Sequence, residues 1–216
     1  MIPDWRSERQ RMVDRQLRKR GIRDERVLEA MLAIPREEFV PTEMRVCSYA
    51  DEPVHIGCGQ TISQPYMIAL MAELLELTGK ETVLEIGGGS GYHAAVLGAL
   101  AARVISIELI PALARQAEQN LHRAGRAANV TVICGDGSQG WPECAPYDGI
   151  SVAAAAPEVP APLMAQLNDP GRLVIPVGAY YDQELRVISK AGGEISERVA
   201  TLCRFVPLRG NRGWRS

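Results

Sequence analysis

The segment Val83-Leu84-Glu85-Ile86-Gly87-Gly88-Gly89-Ser90-Gly91-Tyr92 constrains this chain more than any other. Residues of β-type composition, Val83 to Ile86, run into a glycine cluster, and a helix-favouring stretch, His93 to Ala102, follows at once. This is the strand–loop–helix opening of a nucleotide-binding α/β unit. The glycines allow a tight turn and let a ligand approach the backbone with no Cβ in the way. A dinucleotide fingerprint, Gly-x-Gly-x-x-Gly, starting at Gly87 would need glycine where Tyr92 stands; the last glycine comes one residue early, at Gly91. On the pattern alone a glycine turn of purely structural use remains the alternative.

The loop therefore reads Glu-x-Gly-x-Gly-x-Gly and resembles S-adenosylmethionine sites. A pyrophosphate needs an anion-binding helix N-terminus beneath it; a cationic sulfonium on a neutral adenosine does not. Gly87, Gly89 and Gly91 are candidates for the amino-acid and ribose region of that cofactor, with Glu85 and Ser90 in the same cofactor-binding set. A second strand, Arg103 to Glu108, ends on an acid about 20 residues past the first loop glycine, where doubly wound folds grip the ribose hydroxyls. Glu108 is either that ribose ligand or a solvated strand-end acid. The third strand, Val130 to Cys134, leads into Gly135-Asp136-Gly137. Asp136 and Gly137 are candidates for the adenine, and the alternative is an Asp used for its turn propensity.

A chain of 216 residues suits one domain with a substantial core. Its net charge of −2 and pI near 6.0 give no global pull towards nucleic acid or anionic membranes. No apolar run approaches the ~20 residues that span a bilayer, and the N-terminus lacks a signal-peptide apolar core. The five cysteines form no Cys-x-x-Cys pair, and an odd number cannot all pair internally. Reduced thiols in the cytoplasm, no metal site, and a monomer are expected.

Residues 5 to 33 carry apolar side chains at helical spacing among many charges, with Gly21 as a break and Asp24 as an N-cap. Residues 51 to 65 are dense in glycine, proline and small polar residues and predict a loop with little regular structure. Ser63 precedes Pro65 and the apolar run Met67 to Leu77, so spacing alone favours a helix cap there. Yet Gln60, Thr61 and Ser63 also form a dense hydrogen-bonding set in a loop, and loops carry sites. The fourth strand, Tyr147 to Val152, runs into Ala153 to Pro157 rather than an Asn/Asp-Pro-Pro-aromatic box, which argues against amine substrates. A helix over Val159 to Leu167, a turn at Asn168 to Gly171, a fifth strand over Arg172 to Gly178, and two more strands (Leu185 to Ile188, then Ala200 to Leu208) complete the pattern. The expected fold is α/β: a Rossmann-like, mainly parallel sheet with helices on both faces. Residues 1–62 read as a helical extension with a substrate-side loop, and residues 63–216 as the core.

Gly59-Gln60-Thr61-Ile62-Ser63-Gln64-Pro65 closely resembles the most distinctive signature of the protein-L-isoaspartate O-methyltransferase family. Ile34-Pro35-Arg36-Glu37-Glu38-Phe39-Val40, VLEIGGGSGY, GDG, the AAAAPEVP run at 153–160, LVIPVG and Arg204-Phe205-Val206-Pro207-Leu208 follow in the family's order over nearly the whole chain. The resemblance implies a class I methyltransferase sheet of about seven strands, using S-adenosylmethionine and releasing S-adenosylhomocysteine. It implies methylation of the α-carboxylate of L-isoaspartyl residues in peptides and proteins, the ester then closing to a succinimide that hydrolyses partly to aspartate. Ser63 matches the family's active-site serine, and His55, Thr61, Ile62, Val206 and Pro207 fall on the peptide side. Cys58 and His93 depart from the family's usual residues; His93 is expected as a satisfied surface imidazole in the first helical turn. A carboxylate with a pKa near 3.5 is already ionised at neutral pH, so no general base is needed, which fits a chain holding only His55, His93 and His122. Rivals are a methyltransferase of another carboxylate, a nucleic-acid methyltransferase disfavoured by charge, and a nicotinamide oxidoreductase disfavoured by Tyr92.

Overall fold

Alternation of apolar side chains builds a sheet with two covered faces. The computed structural model describes residues 3–180 and 182–214. Helix α1, Trp5–Met12, is capped by Asp4, whose carboxylate accepts the Ser7 amide and hydroxyl. It runs on through a π-helical turn, Val13–Leu17, and a 3-10 turn, Arg18–Arg20, to the break at Gly21. Helix α2, Glu25–Ala33, is capped by the Asp24 carboxylate, which accepts the Arg26 amide at 2.9 Å, as the sequence predicts. Two 3-10 turns, Arg36–Phe39 and Thr42–Cys47, follow Pro35 and Pro41.

The stretch expected as an irregular loop holds a hairpin, β1 Val54–Gly57 and β2 Gln60–Ile62, paired antiparallel with His55 opposite Thr61. Cys58 and Gly59 both have positive φ, the geometry a tight two-residue hairpin demands. Val54, Ile56 and Ile62 bury one face of this hairpin in the core. Their short alternation is the strand signal that the glycine and proline density obscures. Helix α3, Pro65–Leu74, begins after a linker of Ser63 and Gln64.

Strand β3, Thr82–Ile86, then leads into α4, Tyr92–Leu100; β4, Arg103–Glu108, into α5, Pro111–Arg123; and β5 spans Val130–Cys134. Strand β6, Tyr147–Val152, is followed by a short helix α6, Ala161–Gln166, and by β7, Leu167–Gly178, β8, Gln183–Ala191, and β9, Glu194–Cys203. The sheet order is β5-β4-β3-β6-β7-β8-β9. Pairing is parallel from β5 to β7 and antiparallel across β7–β8–β9. Successive residues point to opposite faces: Val83, Val104 and Val174 join a core layer with the N-terminal helices, α3 and α4, whereas Leu84, Ile105, Leu173 and Ile175 join the opposite layer with Leu163 of α6. The strand order turns back between β3 and β6, and the carboxyl ends of these strands open the crevice where such sheets bind ligands.

One expected turn is absent as a break. Asn168 to Gly171 lies inside β7 as a bulge: Tyr147 pairs with Leu167 and Gly149 with Arg172. The Asp169 carboxylate accepts the amides of Gly192 at 2.7 Å and Gly193 at 2.6 Å, and the Asn168 amide donates to Asp148. Tertiary partners thus satisfy polar groups that, in sequence alone, read as a chain reversal.

Candidate active site

Two cavities meet at the carboxyl edge of β3, β4 and β6. The first is lined by Gly87 and Gly89 of the loop, Glu108, Leu109 and Ile110, Gly137, Ala153 and the Val206–Arg209 segment. The second is a wider cleft lined by Ser63, Gln64, Tyr66, Tyr180 and residues 201–207. Thr61, Ala153, Val206 and Pro207 line both, so the two spaces open onto each other.

The glycine loop is pinned to β4 by the Gly87 and Gly88 amides, both donating to the Ile107 carbonyl. A Cβ at Gly88 would run into the Ser106 hydroxyl, and one at Gly91 would lie 3.1 Å from the Ala117 carbonyl of α5 while φ stands at +86°. Gly88, passed over in the sequence, is therefore as constrained as its neighbours. Gly91 starts α4 and does not line the cavity; nor does Ser90, which is buried and whose carbonyl accepts the Asn120 amide at 2.9 Å.

Glu108, 6% exposed, accepts the Gly89 amide on one oxygen and the Ile110 amide on the other, each at 2.8 Å. A carboxylate offers about four lone-pair sites, so acceptor capacity remains on the cavity side for a vicinal diol. Asp136 is differently employed. Its oxygens accept the Ser138 amide and hydroxyl and the Asn211 amide at 2.8 Å, and it is not among the lining residues. Burial pushes its pKa up, but the Asn211 and Ser138 donors outweigh this and hold the carboxyl below its ordinary range. It fixes the C-terminal segment, whose Leu208 amide also donates to the Ala155 carbonyl at 2.7 Å and whose Trp214 indole donates to the same carbonyl at 3.0 Å.

Ser63 does not cap α3. Gln64 occupies the cap position with no side-chain bond, and Pro65 at the first turn brings no amide to satisfy. The Ser63 side chain lines the cleft and its hydroxyl makes no hydrogen bond within the described protein, while its carbonyl accepts from Arg36 at 2.8 Å. Thr61 and Val206-Pro207 lie at the junction of the two cavities. Ile62 is buried in the core, and His55 is exposed on the outer hairpin face; neither lines a cavity. Leu109, Ile110 and Arg209 are lining residues that carry no sequence motif of their own.

The family model described as protein-L-isoaspartate(D-aspartate) O-methyltransferase matches residues 7–213. The chain belongs to that family. It is 51% identical to the protein-L-isoaspartate O-methyltransferase of Hyperthermus butylicus, covering 98% of this chain and 93% of that one. It is 54% identical to the Methanoregula boonei protein of the same name, over 96% and 95% of the two chains. A solved protein-L-isoaspartate O-methyltransferase superposes with a TM-score of 0.82 at 33% identity, over 95% of this chain and 67% of that one. A Plasmodium falciparum structure, described as a putative family member in complex with S-adenosyl-L-homocysteine, gives a TM-score of 0.81 at 28% identity, over 97% of this chain and all of that one.

Within this family member, the two residues that depart from the usual pattern lie far from solvent-facing expectation in one case. His93 is not a surface imidazole: it is 4% exposed, and its Nδ1 lies 3.4 Å from the Glu85 carboxyl. Glu85 is itself fully buried beneath the loop, hydrogen-bonded to the Ser106 hydroxyl, and does not line the cavity. Glu85 thus lies behind the loop rather than in the cavity wall. Burial pushes Glu85 up to about 8, opposed by the Ser106 hydrogen bond and reinforced by Glu108, and burial pushes His93 down to about 4. His93 lies in the first turn of α4, as the sequence predicts, but on a face that turns inward. Cys58 sits at the exposed hairpin turn, outside both cavities.

Proposed function

We propose that this protein transfers a methyl group from S-adenosylmethionine to the α-carboxylate of L-isoaspartyl residues in damaged peptides and proteins. The observation that supports this most is the junction of a glycine-walled cavity with an open cleft at Thr61, Ala153, Val206 and Pro207. One space suits an enclosed nucleoside cofactor and the other an extended polypeptide. The glycines that line the cavity, Gly87, Gly89 and Gly137, and the spare acceptor capacity of Glu108 fit the adenosine and ribose of the cofactor. When bound, S-adenosylmethionine supplies an electrophilic methyl group.

The chain's own residues then have three tasks. Glu108 receives the ribose hydroxyls, and Gly87, Gly89 and Gly137 let the cofactor approach the backbone. Glu85, Ser90, Gly91 and Asp136 act from behind, by holding the loop and the C-terminal wall. The acceptor carboxylate is already ionised at neutral pH, so the protein must place it and exclude water rather than remove a proton. Good placement contributes ~7–11 kcal/mol in well-oriented reactions. Ser63, with a free hydroxyl in the cleft, donates a hydrogen bond to the acceptor carboxylate, and Thr61, Val206 and Pro207 shape the passage. His55 lies outside both cavities and would meet only an extended substrate. In this reading residues 1–62 close the acceptor side and residues 63–216 form the methyltransferase core. The unpaired cysteines suit a reducing, cytoplasmic setting.

Incubation of an isoaspartyl peptide with protein and S-adenosylmethionine tests the reading by mass and chromatography. A transient gain of one methyl group, followed by succinimide and then the aspartyl peptide, is expected. A lasting ester without relinking, or no ester at all, would count against repair.

A further inference from the structure

Arg36 is a buried cation with no carboxylate in ion-pair contact; the charge of Asp51 acts on it only from farther away. The Arg36 side chain is 0% exposed, and among the described residues it forms no ion pair. Its neighbour Glu37 is committed elsewhere, to Arg9 at 3.2 Å and to the Tyr49 hydroxyl. Burying a charge without a partner is strongly unfavourable, and removing such a group for an apolar one is often neutral or better for stability. Burial pushes Arg36 down to about 10, so it stays protonated at neutral pH. Ion pairing gives no reason for a guanidinium here.

Its contacts do. Nε donates to the Ser48 carbonyl at 2.6 Å, Nη2 donates to the Ser63 carbonyl at 2.8 Å, and Nη1 has no partner. The guanidinium carbon lies 5.0 Å from the centre of the Tyr92 ring. Tyr92 is the first residue of α4, directly after Gly91, and Phe39 packs edge-on against the same ring at 5.4 Å. Arg36 thus stands between the helix that begins at the cofactor loop and the linker that carries Ser63. That linker belongs to neither β2 nor α3, so no strand or helix ladder fixes the Ser63 backbone. A guanidinium holds its donors in one rigid plane, whereas an ammonium is a single point of charge.

We propose that Arg36 is a positioning residue for methyl transfer, holding Ser63 in register with the cofactor loop through the Ser63 carbonyl. Arg36 lines neither cavity and does not touch the substrate. The inference rests on the role of Ser63 proposed above. Displacements of about 1 Å at a reacting centre can cost about 100-fold in rate, so a loosened Ser63 is visible in turnover.

The test is a double-mutant cycle with Arg36→Lys and Ser63→Ala, reading kcat, KM for an isoaspartyl peptide, and S-adenosylhomocysteine affinity by calorimetry. Arg36→Lys is expected to lower kcat by about 10- to 100-fold, with the S-adenosylhomocysteine Kd changed by less than about twofold. In the Ser63→Ala background the same change should cost less than about threefold, because the group it positions is gone. Equal losses in both backgrounds would mean a general structural role and would overturn the proposal while leaving Ser63 its function. A Ser63→Ala enzyme of undiminished turnover would overturn the reading of Ser63, and the role of Arg36 with it. If Arg36→Lys does not fold, Arg36→Gln, which keeps an amide donor on an uncharged stem, goes through the same cycle under the same criteria.

Discussion

The buried Glu85–His93 pair makes the protein's stability depend on pH in a way that one isosteric substitution should erase. Folded, the pair is a neutral acid beside a neutral imidazole, with Glu85 near 8 and His93 near 4. Unfolded, their ordinary values are 4.5 and 6.5. Ser106, whose hydroxyl bonds Glu85, and Glu108, whose charge raises it, are the polar groups that act on the acid. Between the two unfolded values the unfolded pair carries one proton, on the imidazole, and the folded pair also carries one, on the acid. Proton counts match, and the pair contributes no slope. Above 6.5 the unfolded pair has lost both protons while the folded acid keeps its own. Stability then falls as pH rises, with a slope that approaches about 1.4 kcal/mol per unit between the two values, and so by about 1 kcal/mol between pH 6.5 and 8. Glu85→Gln keeps the neutral shape and removes the titration, so its stability should hold level over that window apart from groups common to both proteins. Urea unfolding of the two proteins at closely spaced pH values between 6.5 and 8 reads the difference directly. Parallel curves would refute the assignment of a protonated Glu85.

Glu108→Ala should weaken S-adenosylmethionine binding by about 1–3 kcal/mol, measured by calorimetry; unchanged affinity would remove Glu108 from the ribose role. Ser63→Ala should cut turnover by about 100- to 1000-fold with cofactor affinity nearly unchanged, the range seen when one donor to a reacting oxygen is lost. A matching loss of cofactor affinity would instead make Ser63 part of the fold. Asp136→Ala should release the segment around Asn211, lowering stability by about 1–2 kcal/mol and speeding proteolysis near the C-terminus. An unchanged cleavage pattern would show that the segment is held by Leu208 and Trp214 alone.

Much of the core was legible because its signals are local. Strands over Arg103–Glu108, Val130–Cys134 and Tyr147–Val152 are short β-branched runs bounded by turns, and the structure places them at those residues. Asp24 and Gly21 acted as the cap and break that their chemistry predicts. What stayed hidden depends on partners distant in sequence. The β1–β2 hairpin was obscured by its glycines, and its alternation gains meaning only when Val54, Ile56 and Ile62 meet the core. The Asn168–Gly171 reversal is cancelled by the Gly192 and Gly193 amides. Glu85, His93 and Asp136 were identified as polar residues of the site region, but no spacing rule says that two of them are sealed beneath the loop. Nor does one say that the third is spent on Asn211. Arg36, a charged residue directly after a proline, reads as solvated in the sequence, and only its burial in the fold marks it out.

The central claim is that the acceptor is the α-carboxylate of an isoaspartyl linkage. Methyl transfer from labelled S-adenosylmethionine to two peptides, identical except for one L-isoaspartyl or one normal aspartyl linkage, tests it most directly when scored as base-labile methanol. Label on the isoaspartyl peptide alone is expected. Label on both peptides, or on neither while calorimetry shows S-adenosylhomocysteine bound, would contradict it and turn the search to another carboxylate.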